Sequence, residues 1–270
     1  MKSGTRFEQK VNMATRQHRK PSPPKFEVVP HSSTSVGRTD THENVVYNRI
    51  LLSVPDDEFD ALLPHLEFVE LRLHQSLHES LDGFEYGYFL NLGLTSLVIA
   101  INDGRSVEVG IVGREGFVGT PIAAGLNRSP YGAVVQANGN GFRIKAEVLE
   151  VILSSTPNLR LRLNQYAQIQ GMQVAQLAAC NRLHEIDQRL ARWLLMCQDR
   201  IGSDLLPMTH EFFAEMLGTG RPSVSLAAAV LQRAGFIQYA RGTVRITNRK
   251  SLEEAACECY GVIRQLDDNP

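Results

Sequence analysis

A glycine turn between two short amphipathic segments most constrains how this chain folds. Thr209 can cap a first helix, and the Gly-Thr-Gly sequence at 218–220 ends it, because glycine adopts the left-handed conformation at little cost. Pro222 fits the first turn of a second helix. The apolar positions of that second helix are Val224, Ala227, Ala228 and Leu231. Two helices joined by so tight a turn are therefore predicted at 209–233.

Residues 236–246 extend this pattern with a predicted two-stranded hairpin that turns at Arg241-Gly242. The order helix, turn, helix, hairpin is typical of a winged helix-turn-helix, whose second helix enters the DNA major groove. Arg221 carries the guanidinium that matches guanine, while Arg233, Arg241 and Arg245 suit phosphates. The full set of predicted DNA contacts is Thr209, Thr219, Arg221, Pro222, Ser223, Ser225, Leu226, Arg233, Arg241 and Arg245. The alternative is a surface helix pair with solvated arginines.

The charge distribution supports a phosphate-facing surface at this segment. The whole chain has a formal net charge of −1, but residues 206–250 carry six bases against two acids. Residues 43–205 are acidic, and residues 1–42 are basic and rich in proline. Residues 1–42 are predicted to be a disordered extension that either adds weak affinity for DNA or has no role.

Glycine concentrates in the N-terminal half, where twelve of the 21 glycines lie between Gly83 and Gly141. Short apolar strands at 86–92, 97–101, 107–111 and 134–136 predict a β-sandwich or jelly roll. No apolar run reaches the roughly 18 residues of a membrane-spanning helix, so a cytoplasmic protein without membrane contact is expected.

A long helix is predicted from Thr156-Pro157, which offers a cap and a first-turn proline. A narrow stripe recurs along it at Tyr166, Ile169, Gln173, Gln176, Cys180 and Leu183. Such a stripe suits pairing with a partner helix, and packing on the chain's own domain is the alternative. The polar break at 181–186 predicts a hinge before the next helix.

Several motifs together resemble the Crp/Fnr family of transcription regulators over residues 48–262. They are the 217–225 segment Leu-Gly-Thr-Gly-Arg-Pro-Ser-Val-Ser, the Gly-Arg-Ser-Val-Glu-Val-Gly segment at 104–110, Ala-Cys-Asn-Arg-Leu-His at 179–184 and Cys-Glu-Cys-Tyr at 257–260. The resemblance implies an α+β chain in which a cyclic-nucleotide-binding-like β-sandwich, a dimerisation helix and a winged helix follow one another. It also implies a homodimer on a two-fold symmetric operator, with RNA polymerase as a further partner. The expected domains are 1–42, 43–155, 156–186, 187–262 and a flexible tail at 263–270.

The same resemblance locates an effector site. Residues 113–119 are similar to the turn before the family's phosphate cassette, and Arg128-Ser129 to its phosphate-binding pair. The candidate effector residues are Gly116, Val118, Gly119, Thr120, Arg128 and Ser129. Thr120 stands where the family has a ribose-binding glutamate, and Val174-Ala175 where it has a purine-binding Thr-Ser pair. Cyclic AMP is therefore not expected, which leaves another anionic effector or a β domain without a ligand.

No metal, cofactor or catalytic site is predicted. No cysteine precedes Cys180, so the family's N-terminal iron–sulfur cluster is not expected. Cys257 and Cys259 would point about 200° apart on one helix and could not share a metal, which favours a structural role over a redox switch or an intermolecular metal site. The histidines form no recognised catalytic motif.

The sequence thus predicts a homodimeric, sequence-specific DNA-binding transcription regulator rather than an enzyme, gated by an unknown effector. The alternative function is an anion- or nucleotide-binding sensor whose basic C-terminal segment contacts proteins.

Overall fold

The computed structural model describes residues 37–102, 104–240 and 242–268. The helices are α1 (Arg49–Ser53), α2 (Asp56–Leu62), α3 (Ala146–Ile152), α4 (Pro157–Leu183), α5 (Ile186–Ile201), α6 (His210–Met216), α7 (Arg221–Arg233), α8 (Arg249–Ala255) and α9 (Cys259–Asp268). The strands are β1 (Glu67–Leu71), β2 (Ser76–His78), β3 (Tyr86–Ala100), β4 (Ser106–Val112), β5 (Phe117–Val118), β6 (Gly132–Lys145), β7 (Leu205–Leu206), β8 (Ile237–Ala240) and β9 (Thr243–Ile246). Short 3₁₀ helices occur at Leu63–His65 and Thr120–Ala124. No helix among these residues is both long and apolar enough to cross a bilayer.

Two long antiparallel strands, β3 and β6, form the centre of the N-terminal β unit. Their register shifts near Leu90–Leu94, where bulges let both strands bend without ending. Gly93 has a φ of +93°, and a Cβ on Gly139 would lie 1.9 Å from the Leu92 carbonyl oxygen, so the backbones meet here too closely for larger residues. The prediction of separate strands at 86–92 and 97–101 is therefore wrong, since residues 86–100 form the one continuous strand β3.

The bend divides the sheet into two halves with different neighbours. On one side β1 pairs with β6 and β5 pairs with β3, and on the other side β2 pairs with β6 and β4 pairs with β3. This arrangement, followed by the long α4 and the helical C-terminal unit, confirms the predicted fold class.

The start of α4 is capped by a residue distant in sequence. Glu58 accepts hydrogen bonds from the backbone N–H groups of Asn158 and Leu159, at 2.9 and 2.8 Å. Burial opposes ionisation of Glu58, but these hydrogen bonds bring its pKa below the ordinary value. Thr156 does not cap the helix as predicted, because its hydroxyl instead donates to the Ile152 carbonyl.

The C-terminal unit contains the predicted helix, glycine turn, helix and hairpin. The Thr209 hydroxyl caps α6 by accepting from the Phe212 N–H at 3.2 Å. Gly218 has a φ of +59°, which ends α6, and α7 then begins at Arg221. Strands β8 and β9 pair as the wing, and β7 adds a third strand beside β9.

Parts of two segments that were predicted to be disordered or flexible are folded. Most of the N-terminal extension, residues 1–36, lies outside the described part, but Arg38 donates to the carbonyls of Leu51 and Val54. Asp40 is also buried, so the folded part begins before residue 42. The predicted flexible tail at 263–270 is helical as far as Asp268, with Ile263 buried.

One hydrophobic core joins the β unit to the winged helix. Side chains of the sheet, including Leu94 and Val98, pack in one cluster with Trp193 and Leu194 of α5. At this interface Glu108 accepts hydrogen bonds from the Trp193 indole N–H at 2.6 Å and the Ser96 hydroxyl at 2.5 Å. Burial raises the pKa of Glu108 to about 7, against the opposing effects of these hydrogen bonds and of nearby arginines.

Replacing this carboxyl by an amide should flatten the pH dependence of stability. A raised pKa in the folded state gives stability that is complete below the unfolded pKa, near 4.5, and is lost as pH rises through about 7. The wild-type free energy of unfolding should therefore fall by about 3 kcal/mol across that range because of Glu108, and Glu108→Gln should not show this fall. Urea unfolding at pH 5 and pH 8, followed by the fluorescence of the single tryptophan, measures it.

The exposed Glu150 provides the control, and Glu150→Gln should keep the wild-type pH dependence. An unchanged pH dependence in Glu108→Gln would show that Glu108 is ionised in the folded protein across this range.

Candidate nucleic-acid interface

Helix α7 has one face in the core and the other in solvent. Val224, Ala227 and Leu231 are buried, as predicted from their spacing. Arg221, Pro222 and Ser223 are exposed at the start of the helix, and Leu226 is 65% exposed one turn later. The N-terminal half of α7 therefore presents a short polar surface that ends in an apolar side chain.

The cationic side chains around α7 are available to an anionic partner. Arg221, Arg233 and Arg245 are all exposed, and none of them forms an ion pair with any described residue. Arg241 lies outside the described residues. Three unpaired guanidinium groups on one unit create a positive potential suited to phosphate.

The remaining predicted contacts occupy less open positions. Thr209 is exposed at the start of α6, where its hydroxyl caps that helix. Thr219 and Ser225 are half-buried. The roles of the predicted DNA contacts remain predictions.

Side chains that the sequence analysis did not select hold the turn before α7. Arg189 of α5 donates to the Leu217 carbonyl at 2.6 Å, at the end of α6. The Trp193 ring makes edge contacts with Phe212 and Phe213 at 5.8 and 5.4 Å between centroids. Helix α5 thus fixes the position of α6 and, through the turn, of α7. No motif in the sequence of α5 indicated that Arg189 and Trp193 would hold this turn.

The candidate effector residues between 116 and 120 lie between the sheet and α4. Val118 is buried in the β3–β5 pair, and a Cβ on Gly116 would overlap the Tyr166 ring. Gly119 has a φ of +108°, and the Thr120 hydroxyl donates to Gln170 Oε1 at 3.0 Å. The segment therefore contacts the long helix directly.

The predicted phosphate-binding pair is divided between solvent and core. Arg128 is exposed, whereas Ser129 is buried and its hydroxyl donates to the Tyr131 carbonyl at 2.7 Å. Val174 and Ala175 are exposed on α4. An effector role for these residues remains a prediction.

The stripe predicted for dimerisation turns mostly inward. Tyr166, Ile169, Gln173 and Cys180 are buried in the chain itself, and Gln173 Nε2 donates to the Asp267 carboxylate of α9 at 2.7 Å. Gln176 is half-buried against Cys259, whereas Leu183 is 74% exposed. Helix α9, whose part from residue 263 onward was expected to be a flexible tail, covers much of the stripe, which explains the difference.

The cysteines near the α4–α5 break lie closer together than the sequence analysis expected. Only Cys259 is in α9, whereas Cys257 lies in the turn before it, so the 200° separation on a single helix does not apply. The Sγ atoms of Cys180 and Cys257 are 3.5 Å apart. Their hydrogen bond lowers the pKa of Cys180, and nearby Arg192 acts in the same direction.

Comparison with known proteins gives the family context. Residues 188–255 match the family described as the Crp-like helix-turn-helix domain. The search of curated proteins finds no match.

Solved structures of transcription regulators share the fold over most of their length. A Crp/Fnr-family regulator from Eubacterium rectale is 17% identical, with a TM-score of 0.59 over 77% of this chain and 98% of its own. A CRP-family regulator from Thermus thermophilus is 21% identical, with a TM-score of 0.58 over 70% and 96%. The c-di-GMP responsive regulator CLP of Xanthomonas campestris is 15% identical, with a TM-score of 0.60 over 71% and 99%.

These matches agree with the resemblance seen in the sequence, and they cover both the β unit and the winged helix. Residues 188–255 are a Crp-like helix-turn-helix domain, and the chain as a whole has the fold of the Crp/Fnr family of transcription regulators.

Proposed function

We propose that this regulator binds a two-fold symmetric DNA site as a homodimer and reads each half-site with the N-terminal half of α7. The observation that carries the proposal is the exposed, unpaired Arg221 at the first position of a helix whose opposite face is anchored in the core. A helix held in this way can enter the major groove without losing its own packing.

The side chains on the exposed surface divide by chemistry. Arg221 has the bidentate donor geometry that recognises guanine O6 and N7. Leu226, one turn along, is apolar and exposed, which suits contact with a thymine methyl group. Arg233 near the end of α7 and Arg245 on the wing are placed for phosphates, which add affinity without sequence information.

Arg221→Ala should weaken binding to the preferred site by about 1–3 kcal/mol for each half-site, because each protomer of the homodimer loses one bidentate base contact. The loss should be confined to one base pair of each half-site, where specificity relaxes. Fluorescence anisotropy titrations against sites changed at single positions measure both effects.

The matched control is Arg72→Ala, which removes an exposed arginine from the β unit. This variant should bind as the wild type does. An equal loss on every DNA sequence in Arg221→Ala would assign Arg221 to a phosphate and contradict base recognition.

The wing arginine separates DNA binding from the alternative of a protein-contacting sensor. Arg245→Ala should weaken binding to all duplexes alike and reduce the slope of log affinity against log salt by about 1 per protomer, or about 2 for the homodimer, because each protomer releases one counterion fewer. Titrations between about 50 and 200 mM salt, a range chosen around physiological ionic strength, measure the slope. Wild-type binding that hardly responds to salt would favour the alternative.

The exposed face of α4 supports pairing with a second copy. Gln168, Gly171, Ala175 and Ala178 follow one another at steps of three and four residues, and all are exposed. Met172, 48% exposed, lies beside them. Gly171, Ala175 and Ala178 are small, and their spacing permits close approach of two helices, so we place the dimer contact here, on the opposite side from the buried stripe.

Ala175→Glu should convert a particle of twice 30.0 kDa into one of 30.0 kDa, because it places two carboxylates against each other at the seam. Sedimentation equilibrium measures the mass. The control is Ala61→Glu, on the exposed side of α2, which should stay dimeric. A wild-type protein that sediments as a single chain would contradict the dimer.

Gating by the β unit would act through the contacts that cross to α5. A rotation of the winged helix about the break at 184–185 separates Trp193 from Glu108 and Arg200 from Glu115. An anion bound near Thr120 would act on α4 through Gln170. We propose that an effector bound there shifts the balance between these contacts and DNA binding, which is a coupling between two sites.

A further inference from the structure

A compact group of four metal-binding side chains lies where α4 ends and α9 begins. Cys180, His184, Cys257 and Cys259 each offer one ligand atom, and these atoms all lie within 4.8 Å of one another. The three cysteines are buried and none forms a disulfide. They form a small cluster of their own, separate from the two large hydrophobic cores.

The backbone explains why the four side chains converge. Cys180 and His184 are four residues apart at the end of α4, where they project from the same side. Cys257 precedes α9 in a turn closed by the hydrogen bond from the Tyr260 N–H to the Cys257 carbonyl, at 3.0 Å. This turn brings the Cys257 and Cys259 thiols together.

The spacing of the ligand atoms fits one tetrahedral ion. Metal–sulfur bonds of about 2.3 Å and metal–nitrogen bonds of about 2.0–2.1 Å give ligand-to-ligand distances of roughly 3.5–3.8 Å. The Cys180 and Cys257 Sγ atoms are 3.5 Å apart, and Cys259 Sγ lies 3.6 Å from His184 Nδ1. An iron–sulfur cluster, with its bridging sulfides, would need its ligands further apart.

The surrounding groups are those that a metal site requires. His184 Nε2 lies 3.1 Å from the Glu258 carboxylate, which fixes the ring so that Nδ1 faces the thiols. Gln176 Nε2 donates to Cys259 Sγ at 3.1 Å. Arg192 is buried, and its Nε has no hydrogen-bond partner in the described part of the chain. Three thiolates and one divalent ion leave one net negative charge, which this guanidinium offsets.

We propose that Cys180, His184, Cys257 and Cys259 bind one Zn²⁺ ion in a structural Cys₃His site. Three thiolates and one imidazole form a closed tetrahedral set typical of structural zinc. Binding releases the three thiol protons to solvent, and neither the metal nor the sulfur changes oxidation state. The ion would hold the start of α9 against the end of α4, beside the break that leads to α5.

A disulfide between Cys180 and Cys257 is the competing explanation for their short separation. A disulfide would involve only two of the four side chains, and it would not explain why Glu258 orients the His184 ring towards the thiols. The two explanations differ in what the reduced protein binds, and that difference can be measured.

The test uses the full-length protein, purified without a metal-affinity tag and kept reduced. We expect one zinc per chain by elemental analysis. Replacement with Co²⁺ should give the intense visible bands of tetrahedral cobalt and a thiolate charge-transfer band in the near ultraviolet. Removal of the metal by a chelator should lower the melting temperature, and added Zn²⁺ should restore it.

Cys257→Ser and His184→Ala should each lose the stoichiometric metal, and circular dichroism shows whether each variant folds. Cys197→Ser, which changes a buried cysteine outside the cluster, should keep it. Glu258→Gln should weaken Zn²⁺ affinity by about 10- to 100-fold in competition with a chromophoric chelator, because it alters only the support of His184.

Three results would overturn the proposal. The first is a reduced, folded wild-type chain that binds neither Zn²⁺ nor Co²⁺. The second is a cobalt spectrum without the thiolate band. The third is a metal content that Cys257→Ser and His184→Ala leave unchanged.

Discussion

The arrangement of the described segments depends on the ion pairs of the buried Arg200 guanidinium. Its side chain is 4% exposed and lies 2.8 Å from Glu115 of the β unit and 2.8 Å from Asp267 of α9. Glu115 also accepts from the Gly113 N–H, and Asp267 accepts from Gln173 of α4. Four separate segments thus meet at one charge, and an unpaired buried charge would cost several kcal/mol.

This constraint explains why the winged helix cannot be treated as an independent module in this structure. At the C-terminal end of α5, Arg200 contacts Glu115 of the β unit. Near the N-terminal end of the same helix, Arg189 holds the turn before the recognition helix. Trp193 and Glu108 form a second contact between the same units. Contacts thus run from the β unit to α7 along one helix, and they form the route through which the proposed gating would act.

The local features of the winged helix were predictable because they depend on short-range chemistry. The Thr209 cap, the left-handed Gly218 and the apolar spacing from Val224 to Leu231 each follow from a few neighbouring residues. The glycine-rich β unit was also evident, although a bend at Gly93 hid the continuity of β3.

Features that depend on contacts between distant segments were not predictable from one sequence. The α4 stripe was predicted to meet a partner helix, but α9 returns from far along the chain to cover Gln173 and Cys180, as the contacts of Gln176 with Cys259 and of Gln173 with Asp267 illustrate. The cysteine pair at 257 and 259 was assigned to one helix, and only the turn before α9 reveals their approach to His184. In both cases most of the residues that the pattern selected are buried, but the sequence did not identify what buries them.

The measurement that tests the central claim most directly is selection of bound sequences from random duplex DNA by the full-length protein. The account predicts an enriched motif with two-fold symmetry, whose half-sites are centred about one helical turn, or roughly 10–10.5 base pairs, apart. An enriched motif with a single, unrepeated recognition element would contradict a dimer that reads DNA with two α7 helices. Recovery of all sequences in equal proportion, both by the protein alone and after addition of cyclic nucleotides and cell extract, would contradict sequence-specific recognition.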